Sequence, residues 1–217
     1  MTRKPVFVTS SGTEIGKTYV SAMLTQELGA RALKPLVSGI DAETFPESDP
    51  AMLMAAMGLE PRLEDAGIVS RWRFRAALSP DMAARREGKE ISFPDLVEEC
   101  VTAAQKPGPL VIEGVGGLMV PLDGKHLVLD WMKELDRRIG LAPVLVVGAY
   151  LGTISHTLTT LAVMRAENLL PRVIVVSERE AGPVPVEETA ETIARFTNGV
   201  PVRSLPHGGK VALGDLV

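Results

Sequence analysis

The run Ser10-Ser11-Gly12-Thr13-Glu14-Ile15-Gly16-Lys17-Thr18 has the residue types and spacing of a phosphate-binding loop. It follows the apolar run Val6-Phe7-Val8 and opens a stretch of helical character. Backbone N–H groups at such a helix start point at phosphate oxygens, and the helix dipole favours negative charge there. On this reading Gly12, Thr13, Glu14, Ile15 and Gly16 wrap the phosphates. Lys17 reaches the β- and γ-phosphates, and the Thr18 hydroxyl ligates Mg²⁺. The chemistry implied is that of a nucleoside triphosphate.

A second group is Leu110-Val111-Ile112-Glu113-Gly114-Val115-Gly116-Gly117. A carboxylate at the C-terminal end of a buried strand is where phosphate-loop enzymes put a Mg²⁺-directed acid. The glycines that follow let the backbone approach a ligand closely. A third group is Lys34-Pro35-Leu36-Val37-Ser38-Gly39. A lysine there can face a transferring phosphoryl group and stabilise the charge that develops on it. Asp49, in Glu47-Ser48-Asp49-Pro50, has two readings: an acid in the first turn of a helix, or a second Mg²⁺ carboxylate.

These residues need a scaffold that brings distant strand ends together. Val6–Val8, Leu110–Ile112, Val144–Val147 and Val173–Val176 are short, non-alternating and rich in Val and Ile. Such runs read as strands buried on both faces of a parallel sheet. Ala32–Val37 is a weaker candidate strand. Helical stretches lie between them: Thr18–Leu28, Pro50–Met57, one from Ser92 to about Lys106, Leu127–Ile139, Ile154–Asn168 and Val186–Thr197. Ser92 with Asp95 resembles a helix-start capping box, with Pro94 tolerated in the first turn. The alternation predicts a doubly wound α/β fold with a mainly parallel sheet flanked by helices, and residues 1–217 read as one phosphate-loop domain. Ligands then sit beyond the C-terminal strand ends. Arg71-Trp72-Arg73-Phe74-Arg75 reads as loop or edge strand, residues 178–186 as loop, and the tail from His207 as a mobile segment.

The chain has 217 residues and a formal net charge of −4, with no basic tract. Nucleic acid is therefore not an expected partner. No apolar stretch approaches the length of a membrane span, and residues 1–5 leave no room for a secretion signal, so the expected location is the cytoplasm. The single cysteine, Cys100, fits a reducing compartment and reads as a small buried hydrophobe. His126, His156 and His207 show no metal-ligand spacing, and Met52, Met54 and Met57 lie on a short helix that could line a pocket.

Taken in order, these pieces resemble the dethiobiotin synthetase family. That family's loop, Gly-Thr-Asp-Thr-x-Val-Gly-Lys-Thr, has the length of Ser10–Thr18. Its other segments resemble Lys34–Gly39, Ser48–Pro50, Ser79–Gly88, Glu113–Gly117 and Leu151–His156. The resemblance implies that ATP, CO2 and 7,8-diaminononanoate give dethiobiotin, ADP and phosphate. It implies Lys17, Lys34 and Thr13 as catalytic residues and Thr18, Asp49 and Glu113 as ligands of Mg²⁺. It implies Thr13, Lys34, Ser38, Gly116, Gly117, Gly152, Thr153 and Ser155 at the substrate. The last three would hold the substrate's carboxylate tail across the interface of a homodimer.

Departures from the family pattern stand out. Ser10 and Gly12 replace Gly and Asp in the loop, Asp81 stands where the family usually has His, and Ser155 where it often has Asn. Where the family reads adenine with an Asn-Asp pair, this chain has Ser177-Glu178, so Ser177 faces the base without an amide's paired donor and acceptor. Other readings of the same fold are a partition-type nucleotide-switch ATPase and an inactive family relative. The first usually carries an extra early lysine in its loop, which Ser10-Ser11-Gly12 lacks.

Overall fold

The computed structural model describes residues 3–178 and 184–217. Its centre is a six-stranded sheet built from β1 (Val6–Ser10), β2 (Arg31–Leu33), β5 (Leu110–Glu113), β6 (Ala142–Gly148), β7 (Val173–Ser177) and β8 (Val202–Leu205). The order is β2-β5-β1-β6-β7-β8, and every pairing is parallel. A small second sheet pairs β3 (Leu36–Ser38) with β4 (Trp72–Phe74).

Side-chain alternation along the strands explains the layers. Phe7, Ile112, Leu145, Val147, Ile174 and Val176 face one side. There they meet α4 (Phe93–Gln105), α5 (Val128–Ile139), α6 (Thr153–Ala166) and α7 (Val186–Ala194) through residues such as Leu96, Trp131, Leu161 and Ile193. Val6, Val8, Val111, Val144, Val146 and Val175 face the other side, under α1 (Lys17–Leu28) and its Val20 and Leu24. Because both faces are covered, the runs Val6–Val8, Leu110–Ile112, Val144–Val147 and Val173–Val176 are apolar on both, which is why they do not alternate in sequence. Two shorter helices, α2 (Asp49–Ala56) and α3 (Pro80–Arg86), complete the set.

The parallel order puts β1 between β5 and β6. Chain connections diverge to either side of β1, so its C-terminal end is the switch point where doubly wound sheets bind ligands. The loops after β1, β5 and β6 all open on that edge.

Three expectations need correction. The run Ala32–Val37 is two strands in two sheets, broken at Lys34-Pro35; Pro35 has no N–H to continue a ladder. The tail after His207 is fastened along α1 and is not a mobile segment. The Tyr19 hydroxyl donates to Gly209 O at 2.8 Å, Glu27 accepts the N–H groups of Leu213 and Gly214 at 3.0 and 2.8 Å, and Leu213 is buried. Met54 belongs to the core and Met52 points outward at 42% exposure, so this helix does not present a methionine-lined pocket. The residues 71–75 do hold an edge strand, β4, and the helix start at Ser92 is as expected, with Ser92 Oγ accepting the Asp95 N–H at 3.3 Å. The predicted loop at 178–186 lies largely outside the described residues. Trp131 is fully buried against Phe7 with the rings edge to face, and Cys100 is buried on α4; burial pushes its thiol pKa up.

Candidate active site

The loop from Ser11 to Gly16 leaves the end of β1 and turns into α1 at Gly16, whose φ is 91°. That left-handed turn suits glycine and aims the first N–H groups of α1 back over the loop. Glu14 also lies in the left-handed region, at φ 56°, a conformation that costs an L-residue about 1–2 kcal/mol. Thr13 and Glu14 are exposed at the loop tip, whereas Ile15 is buried. Lys17, the first residue of α1, folds over the loop and donates to Gly12 O at 3.3 Å. Burial, and then the nearby Lys34 charge, push its pKa down to about 8.

Five side chains meet beneath this loop from four separate segments. Lys34 enters from the break between β2 and β3, and Asp49 from the first turn of α2, where Ser48 is the N-cap. Glu113 ends β5, while Lys17 and Thr18 begin α1. Lys34 Nζ donates to Glu113 Oε1 at 2.6 Å and lies 2.9 Å from Asp49 Oδ2, with Gly114 O at 3.4 Å. Thr18 Oγ1 lies 2.7 Å from Asp49 Oδ1 and 2.8 Å from Glu113 Oε1. Burial opposes the Lys34 charge, but Glu113 and Asp49 outweigh it and hold the ammonium pKa above its ordinary value. Burial likewise opposes ionisation of Asp49, yet Lys34 holds its carboxyl below the usual range.

The oxygen set fits a small hard cation. One Thr18 hydroxyl proton cannot serve both carboxylate oxygens that approach it. Glu113 Oε2 is buried with no hydrogen-bond partner. An ionised oxygen left so is costly unless a cation reaches it, and carboxylate and hydroxyl oxygens are the ligand type that Mg²⁺ takes.

The glycine loop after β5 lies against the phosphate loop. A Cβ on Gly117 would stand 3.2 Å from the Gly12 nitrogen, so any larger residue would push the two loops apart by a few tenths of an ångström. Gly116 is in the left-handed region at φ 59°. The fully buried Ser10 hydroxyl bridges the two loops, 2.6 Å from Gly12 O and 2.8 Å from Gly116 O. In sequence Ser10 stands out only as a departure in the loop; its second partner is 106 residues away, and nothing local announces it. Gly114, whose carbonyl faces Lys34, was likewise not singled out.

The remaining candidates come from the small second sheet and from the ends of β6 and β7. Ser38 ends β3 with its hydroxyl buried and unpartnered. Gly152, at φ 99°, caps α6; Thr153 begins it with a buried, unpartnered hydroxyl, and Ser155 is exposed. Ser177 ends β7 in register with Gly148, whose added Cβ would come within 3.1 Å of Ile15 in the phosphate loop. The ends of β6 and β7 therefore border the loop on the side away from Lys34. His126 lies elsewhere, stacked on Phe93 at 3.9 Å and held by Asp123 at 2.8 Å, and His156 meets the Tyr150 hydroxyl at 2.8 Å.

Residues 4–211 match a family model described as an AAA domain. An ATP-dependent dethiobiotin synthetase BioD of Acidiphilium cryptum (strain JF-5) is 44% identical over 202 residues, covering 90% of this chain and 89% of its own. A protein of the same name from Methylobacterium nodulans (strain LMG 21967 / CNCM I-2342 / ORS 2060) is 45% identical, covering 94% of this chain and 93% of its own. Among solved structures, a ParA family ATPase from Chlorobium tepidum TLS superposes with a TM-score of 0.52 at 11% identity, over 95% of this chain and 85% of that one. That likeness concerns the fold alone, a parallel sheet between helices.

Proposed function

Because this chain belongs to the ATP-dependent dethiobiotin synthetases, we propose that its buried Lys17–Thr18–Lys34–Asp49–Glu113 cluster closes the ureido ring of dethiobiotin. The overall reaction takes ATP, CO2 and 7,8-diaminononanoate to dethiobiotin, ADP and phosphate, and the enzyme is a ligase. One amine of the substrate adds CO2 to give a carbamate. The carbamate oxygen accepts the γ-phosphoryl group, giving a mixed anhydride. The second amine then attacks the carbonyl carbon, phosphate leaves, and the ring closes. No covalent help from the protein is required; positioning and charge neutralisation suffice.

Each residue has a part in that work. Residues Gly12 to Thr18 hold the triphosphate through backbone N–H groups, with Lys17 on the outer phosphates. Lys34 faces the migrating phosphoryl group; its three N–H bonds are engaged by Glu113, Asp49 and Gly114, so it must release one to make that contact. Thr18, Asp49 and Glu113 would hold Mg²⁺, which would supply charge neutralisation at the phosphates. Thr13, Ser38, Gly116 and Gly117 line the carbamate and diamine, and Ser177 faces the base. Gly152, Thr153 and Ser155 take the substrate carboxylate at the start of α6, where the helix dipole favours an anion and the Thr153 hydroxyl is unpartnered.

The single observation that carries this reading is Thr18 Oγ1 lying within 2.8 Å of both Asp49 and Glu113 while Lys34 pairs with the same two acids. The reading includes a homodimer with the carboxylate site at its interface, supported by Leu151 and Ile154 beside Ser155, which are 93% and 36% exposed. It also includes one domain for the whole chain and a cytoplasmic location, in keeping with the buried lone cysteine. The test is ADP release in the presence of Mg²⁺, bicarbonate and ATP. Release that requires 7,8-diaminononanoate supports the synthetase; release that ignores it supports a nucleotide switch.

A further inference from the structure

We infer that the Ser10 hydroxyl is a positioning group that makes nucleotide binding and diamine binding cooperative, by turning its single proton between two loop carbonyls. This rests on the synthetase reading above. The hydroxyl is fully buried and approaches Gly12 O at 2.6 Å and Gly116 O at 2.8 Å. The Ser10 carbonyl also accepts the Leu118 N–H at 2.9 Å, so main chain and side chain together tie β1 to the glycine loop. One hydroxyl carries one donor proton and so satisfies one of the two carbonyls at a time.

Lys17 decides which one. In the structure the Ser10 hydroxyl and the Lys17 ammonium both reach Gly12 O, at 2.6 and 3.3 Å, so the Ser10 proton can serve Gly116 O for as long as Lys17 serves Gly12 O. When Lys17 swings to a phosphate, Gly12 O loses that donor. A part-buried carbonyl that loses a donor is less well satisfied, so the Ser10 proton settles on Gly12 O. Gly116 O is then free to accept an N–H from an amine of the substrate. The reverse also holds: an amine seated on Gly116 O releases the Ser10 proton to Gly12 O and frees Lys17 for the phosphates. Coupling of this kind is reciprocal by thermodynamic necessity.

The experiment titrates 7,8-diaminononanoate into the protein by calorimetry, with and without the Mg²⁺ complex of a non-hydrolysable ATP analogue. Wild type, Ser10→Ala and Ser10→Cys are compared, cysteine keeping the shape with a much weaker donor. The wild-type diamine affinity is expected to rise at least about fivefold with the analogue bound. Both variants should show a rise below about twofold, under the range typical of coupled sites. A role confined to stability would shift Tm and leave this ratio alone. A wild-type-like ratio in the folded variants, or a wild-type ratio near one, overturns the inference. If Ser10→Ala fails to fold, the Ser10→Cys ratio decides. Wild-type product formation, assayed separately, tests the synthetase reading; product without cooperative binding would sink the Ser10 role alone.

Discussion

Lys34 Nζ and Glu113 Oε1, 79 residues apart in sequence, meet at 2.6 Å in the buried heart of the site. Asp49 closes the triad at 2.9 Å from the same ammonium. With the lysine removed, two acids would face each other across the Thr18 hydroxyl. Lys34→Met should therefore cost stability as well as activity. Breaking one partner from a buried pair costs about 3–5 kcal/mol, and the lower end applies because the Asp49 side chain is 41% exposed. Thermal unfolding should show a clear drop in Tm, and millimolar Mg²⁺ should restore part of it by compensating the acids. An unchanged Tm, insensitive to Mg²⁺, would remove the triad from the account.

Glu113→Gln keeps the volume and discards the charge. Product formation at saturating substrates should fall about 10²–10³-fold, the usual loss for one electrostatic contact to a developing charge. The Mg²⁺ concentration giving half-maximal rate should also rise. A variant with a normal Mg²⁺ response would place the metal elsewhere.

Lys17, with its pKa pushed down to about 8, is charged below that pH and neutral above it. A triphosphate binds the charged form better. Nucleotide affinity should therefore be greatest on the acid side and weaken as pH rises through about 8, with Lys17→Met abolishing the dependence. Dissociation constants measured from pH 6.5 to 9.5 check the sign; affinity that improves with pH would contradict it.

Gly117→Ala is a steric test. The new Cβ would lie 3.2 Å from Gly12 N and 3.3 Å from Gly12 Cα, so the phosphate loop must shift by a few tenths of an ångström. Nucleotide affinity should fall about tenfold or more, since small misplacements at a catalytic centre have large effects, while Tm stays near wild type. Unchanged affinity would mean that the two loops move independently.

Much of this was legible in the sequence because burial on both faces leaves a plain signature. Val144–Val147 and Val173–Val176 could hardly be anything but central strands, and Gly16-Lys17-Thr18 after the Val6–Val8 run marked the phosphate loop. The edges were harder. β8, Val202-Arg203-Ser204-Leu205, is only partly buried and carries an arginine, so it lacks the apolar run of its neighbours. Lys34-Pro35 hid a break because the residues around it are apolar in both strands. The tail looked mobile because its anchors, Tyr19 and Glu27, lie nearly two hundred residues away. Within the site, Glu113 and Lys34 stood out by strand-end position, Lys17 by the loop motif and Asp49 by its place at a helix start. The Ser10 bridge was not, since its meaning depends on Gly116, a residue of another loop.

The most direct test of the central claim is mass-spectrometric detection of dethiobiotin after mixing the purified protein with 7,8-diaminononanoate, bicarbonate, Mg²⁺ and ATP. Parallel reactions with CTP and GTP would read the effect of Ser177 on base choice. The account predicts dethiobiotin formed in step with ADP, and none without the diamine or with Lys34→Met. Folded protein that gives no dethiobiotin with any of the three nucleotides would contradict it.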